Sequence, residues 1–151
     1  VTDPLMAEIA AAVELGRAGD AATARARLDE LWTRMGPTGD PAHRCALAHW
    51  AADLQDDPRE ELTWDERALD VVEGAGPDPQ LDGFLPSLHL NLADVHRRLG
   101  DVGTAQTHLR RARDVVGTLP ADGYGQMVRT GIDHVAQALA QGSTDRLPGV
   151  R

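Results

Sequence analysis

Six histidines, one cysteine and 24 carboxylates are the groups with which this 151-residue chain could move protons, attack a substrate or bind a metal. Their spacing narrows the choice. His49 and Asp53 lie four apart, as do Asp94 and Arg98, and His89 and His96 lie seven apart; each pair falls on one face of a helix. A metal centre needs three or four converging ligands, and neither these pairs nor any HExxH spacing provides them. Asp56, Asp57, Glu60 and Glu61 form a carboxylate cluster, but a turn followed by a helix start uses such residues as caps and dipole partners. Cys45 stands among alanines and reads as a small core residue; as the only cysteine it excludes an internal disulfide or a cysteine zinc cluster. Phosphate-loop, GxSxG and dinucleotide glycine patterns do not occur. The histidines therefore read as hydrogen-bonded or solvated, and no catalytic residue, metal or cofactor is expected. An enzyme built on a helical bundle remains one alternative.

The elements that position these residues are helical. Aromatics make up only 3% of the chain, too few for a β-sandwich or barrel core, whereas Ala, Leu and Arg are abundant. Nothing approaches eighteen continuous apolar residues, so no membrane span is expected. The opening Val1-Thr2-Asp3-Pro4 lacks the basic-then-apolar pattern of a secretion signal, which makes a cytoplasmic location the expectation. Net charge is −9 and uneven: residues 1–80 carry 17 acids against 7 arginines, residues 81–151 carry 7 against 8. That balance argues against nucleic acid as a partner, because binding it relies on neutralising phosphates.

Asp3-Pro4 reads as a helix start, with Leu5, Ile9, Ala12 and Val13 as its apolar stripe. Gly19-Asp20 breaks the helix, and Ala21, Ala24, Leu28 and Leu31 carry the next one to Met35-Gly36-Pro37. Asp40-Pro41 repeats the start signal, and Cys45, Ala48, Ala51 and Ala52 give a small-residue face suited to close helix packing. Asp56-Asp57-Pro58 turns the chain into a fourth helix on Trp64, Ala68, Leu69 and Val72, which ends in the breaker run 74–79. The stretch 81–85 reads equally as a loop or as an early helical turn. Two further helices flank Leu99-Gly100-Asp101. Asp122 opens a last one, with Met127, Val128, Ile132, Val135, Ala136 and Leu139 on one face and Gly131 costing ~1 kcal/mol relative to alanine.

Asn91, Leu92, Ala93, Gly100, Asp101, Ala105, Leu109 and Ala112 place small and large residues in a pattern that resembles a tetratricopeptide repeat. Ala24 matches Ala105, and Ala68 matches Ala112. The turns at Gly19-Asp20, Asp56-Asp57 and Gly100-Asp101 are spaced by 37 and 44 residues, against a family period of about 34. The excess falls in the Gly/Pro loops between hairpins. Glu61 stands where the family has a buried alanine, and Asp65 where it has a large residue. The resemblance implies an all-α, right-handed α-solenoid of three antiparallel helix hairpins plus a seventh capping helix. A single domain would span 1–141, and 142–151 would be a frayed tail. A non-repeat helical bundle is the structural alternative.

In this family the first helix of each hairpin lines a concave groove that binds ligands. Matching positions are Met6, Ile9, Val13, Gly16 and Arg17; then His43, Ala46, Trp50, Asp53 and Leu54; then Ser87, Leu90, Asp94, Arg97 and Arg98. A basic and amide clamp for peptide C-termini, found in one subtype, is absent because Ile9 and Val13 occupy its positions. What the resemblance implies is a non-enzymatic protein–protein interaction module holding a peptide or protein segment. Basic rims at Arg17 and at Arg97 and Arg98 would flank the indole of Trp50, suiting an aliphatic or aromatic anchor beside Asp or Glu; the alternative is that these arginines simply pair with Asp94 and neighbouring acids. The competing expectation is a self-associating homodimer, a structural or regulatory subunit that pairs through the stripe Met6, Ile9 and Val13.

Overall fold

The computed structural model describes residues 3–148. Among them are eight helices and no strand, so the fold is all-α. No helix among the described residues is long and apolar enough to cross a membrane. The chain forms two compact units, Val1–Pro77 and Asp78–Arg151.

The first unit holds α1 (Pro4–Arg17), α2 (Ala21–Met35), α3 (Pro41–Asp53) and α4 (Pro58–Ala75). Each starts on an aspartate whose carboxylate accepts a backbone N–H of the first turn: Asp3 from Met6, Asp20 from Thr23, Asp40 from Ala42 and Asp57 from Arg59. Such a cap contributes about 1 kcal/mol. Arg34 reaches Glu8 at 2.8 Å, so α2 runs back along α1. Asp3 meets His43 at 2.6 Å, and at the other end Leu54 fills the space that a side chain on Gly16 would need. With start against start and end against end, α1 and α3 run parallel. Cys45, Ala48, Ala51 and Ala52 are completely buried, as their small size on one helix face suggested.

Glu61 and Asp65, the two acids at family core positions, are buried completely and engaged by neighbouring groups. The stripe read as a homodimer surface is not available. Ile9 is 0% exposed and Val13 6%, because α2 and α3 both pack against α1; only Met6 is partly exposed.

The second unit opens with a short helix, α5 (Pro79–Asp82), capped by Asp78; it starts inside the expected breaker run 74–79 and reaches only the first two residues of the stretch 81–85 that read as loop or helical turn. Then come α6 (Leu85–Arg98), α7 (Val102–Val116) and α8 (Gly123–Ala140). α8 covers the α6–α7 hairpin through Val128, Ile132 and Val135, which pack on Leu90, Ala93, Leu109 and Ala112. Met127, expected on that face, is instead 59% exposed. Gly131 is the point of closest approach: a Cβ there would stand 2.7 Å from Leu90 Cδ2. Tyr124 donates to Ser87 Oγ near the helix starts, and the chain leaving α8 meets Arg97 at the end of α6. α8 therefore lies parallel to α6, as α3 lies parallel to α1.

The α6–α7 turn has Gly100 at φ 84°, with its N–H donating to the Arg97 carbonyl and that of Asp101 to the His96 carbonyl. This is a Schellman closure, which places a left-handed residue after the helix. Gly100→Val is expected to lower stability by at least ~1 kcal/mol, since a β-branched side chain resists that φ; an unchanged melting temperature would contradict the turn. Ala105 is 0% exposed. Ala105→Leu is expected to cost roughly 1–3 kcal/mol through overpacking, read as a lowered denaturation midpoint at unchanged slope.

Candidate functional site

The last turn of α6 brings Asp94, Arg97 and Arg98 together. Spacings of three and four fold both arginines onto one carboxylate: Arg97 Nη2 donates to Asp94 Oδ1 at 2.7 Å, and Arg98 Nε to Oδ2 at 3.0 Å. The three side chains are 1–5% exposed. Cations at a helix C-terminus also meet the negative end of its dipole. Burying a guanidinium demands more acceptors than one carboxylate oxygen, and the chain after α8 provides them. Arg97 Nη1 donates to the Ser143 carbonyl at 2.7 Å, and Nη2 to the Asp145 carbonyl at 2.8 Å.

That segment is brought there by the end of α8. Gly142, at φ 68°, closes the helix with hydrogen bonds from Gly142 to Leu139 and from Ser143 to Ala138, which turns the chain back. Leu147 then packs against the apolar cluster under α8. The expected frayed tail is thus docked as far as it is described, because a buried arginine needs its carbonyls and the core accepts its leucine. Residues 149–151 of that expectation, like Val1 and Thr2, lie outside the described residues. Arg97 Nε has no hydrogen-bond partner among the described residues. A buried donor left in this condition costs about 1–3 kcal/mol.

The other groove positions fare differently. Leu90 is buried in the core beneath α8, packed against Val128, Ile132 and Val135. In the first unit, Arg17 is exposed and paired with Glu14 at 2.7 Å, and His43 is partly buried against Asp3. Trp50 is half-buried, Asp53 is exposed, and Leu54 packs at Gly16 while its carbonyl accepts from Arg25 at 3.0 Å. Arg97 is no solvent-facing rim residue, since both of its terminal nitrogens are occupied.

Two clusters escaped the sequence reading. His89 and His108 face each other at 3.1 Å between Nδ1 atoms, so one ring donates while the other accepts. His108 also stacks on His96, with ring centres 5.6 Å apart, and His96 stands 3.7 Å from Asp101. Burial, with Arg111 nearby, pushes His89 down to about 4; burial and the neighbouring His89, His96 and Arg111 do the same to His108. Stacked rings do not aim their lone pairs at one point, and no group of three His, Cys, Asp or Glu among the described residues could hold a metal ion. In the first unit, Trp32 and Trp64 meet edge to face at 5.6 Å, with Arg44 over Trp32 and Arg67 over both rings. These are cation–π contacts that tie α2, α3 and α4. Cys45 is no nucleophile at neutral pH: burial pushes its thiol up to about 12.

Compared with known proteins, the chain matches no family model, no curated protein and no solved structure.

Proposed function

We propose that the protein is a non-enzymatic interaction module of tetratricopeptide-repeat type that binds a peptide or protein segment, and that the end of α6 is where it does so. In this reading α1–α2, α3–α4 and α6–α7 are three repeats and α8 is the cap. The parallel course of α1 with α3, and of α6 with α8, supports it, because first helices of successive repeats run side by side. One observation carries the functional half: a non-helical polypeptide segment already lies on Arg97, held through backbone carbonyls that any sequence possesses.

Selection of a random displayed-peptide library on the purified chain tests the reading. Enrichment of segments with Asp or Glu beside an aliphatic or aromatic anchor is the expected result, with binding that weakens as salt rises. Arg97→Ala should weaken that binding and flatten its salt dependence, provided circular dichroism shows the variant folded. If no peptide is enriched over the bare support, the module reading fails.

A further inference from the structure

Resting on that reading, we infer that Ser143 to Leu147 is a built-in competitor: it occupies the Arg97 site in cis, and an outside segment of like chemistry must displace it to bind. Two features of the segment point to this. Its sequence, Ser143-Thr144-Asp145-Arg146-Leu147, pairs an acid with an aliphatic anchor two residues on. It engages through carbonyls two residues apart, followed at the same interval by Leu147 in the apolar cluster. Ser143 is tied to α8 by its N–H on the Ala138 carbonyl, whereas Asp145 and Leu147 engage Arg97 and the apolar cluster.

The fit is also incomplete. Thr144, Asp145, Arg146 and Pro148 are exposed, and Ser143 and Leu147 are only partly buried. A cavity of about 230 Å³ lies beside the segment, lined by His134, Gln137 and Gln141 of the α8 end together with Ser143 and Leu147. The Nε donor of Arg97 is unused. An arginine offers its five donors as a planar fork, and a carboxylate can take two of them at once, whereas each backbone carbonyl here takes one. The partner is therefore a non-helical segment with an Asp or Glu carboxylate for Arg97 and a Leu-like side chain for the place of Leu147. Its apparent affinity is reduced by the fraction of time the cis segment is docked.

The test uses a fluorescent peptide with the sequence of residues 141–148, added to the full chain and to its Leu147→Asp variant, which removes the apolar anchor. The variant is expected to bind the peptide roughly tenfold or more tightly than the native chain, since the competitor is undocked. Hydrogen exchange on the native chain gives a readout independent of any variant: saturating peptide should speed exchange at residues 143–147 while α6 and α7 stay protected. Equal affinity for both chains, or binding that leaves residues 143–147 as protected as before, overturns the competition. Library-selected peptides that bind both chains alike would overturn it while leaving the module reading standing; an absence of any enriched peptide removes that reading itself.

Discussion

Replacing Asp94 by alanine is expected to destabilise the second unit by about 3–5 kcal/mol, the cost of stranding a buried charge. The carboxylate is 2% exposed and accepts from Arg97 at 2.7 Å and from Arg98 at 3.0 Å. Without it Arg97 keeps only two backbone carbonyls, and its side chain is 1% exposed. Carbonyl dipoles do not replace a full negative charge in a dry site. The least costly escape is for residues 143–148 to leave and let water reach the guanidinium, so faster hydrogen exchange in that segment should accompany the loss. Asp94→Asn keeps one acceptor oxygen and should lose less. Urea denaturation measures both variants, and a loss below about 1 kcal/mol for the alanine variant would put this pair in the class of wet surface ion pairs.

Acid is expected to weaken the second unit well above the pH at which carboxylates are titrated. His89 and His108 are held down to about 4 from an ordinary value of 6.5. Between those values the unfolded chain takes up protons that the folded rings refuse. Stability is thus fully present above about pH 6.5, falls as pH drops toward 4, and suffers no further loss from these rings below it. The gap sets an upper bound of ~3 kcal/mol for one ring, which solvent screening lowers; because the two rings share a hydrogen bond, the second does not add in full. His96 stacks on His108, Arg111 adds positive charge nearby, and Asp101, beside His96, supplies the negative charge at that end. The capping aspartates Asp3, Asp20 and Asp101 have carboxyls lowered below 3.8, chiefly by hydrogen bonds from Met6, Thr23 and Thr104, so their contribution is lost only below that pH. Denaturation midpoints at pH 7, 5.5 and 4 read the effect. His89→Gln should flatten the upper part of the profile, and a native profile flat from pH 7 to 4 would show the rings to be solvated.

The helices were legible because their signals are local. Asp3, Asp20, Asp40, Asp57, Asp101 and Asp122 each announce a cap, and each caps its helix in the structure. The short α5 uses the same Asp-Pro start, at Asp78-Pro79, but there it was masked by the glycines and prolines around it. Long-range placement was not legible. That α8 lies over Leu90 depends on Gly131 permitting close approach, which periodicity reports only as a weak helix former. The His89–His108 contact joins residues 19 apart across a turn, and the Trp32–Trp64 contact joins different hairpins; same-face spacing cannot show either. At the candidate site, helical spacing paired Asp94 with Arg98, while Arg97 was singled out only by the resemblance to the repeat family. Their burial was missed because it depends on Ser143 and Asp145, polar residues past a glycine that read as loose chain.

An amide-resolved NMR titration of the native chain with a library-selected acidic–aliphatic peptide tests the assignment of binding to Arg97 most directly. Saturable shifts are expected to concentrate in residues 94–98 and 143–147, with the signals of 143–147 moving toward those of unstructured chain. Shifts confined to the first unit, around Trp50 or Arg17, or saturable binding that leaves residues 94–98 untouched, would contradict that assignment.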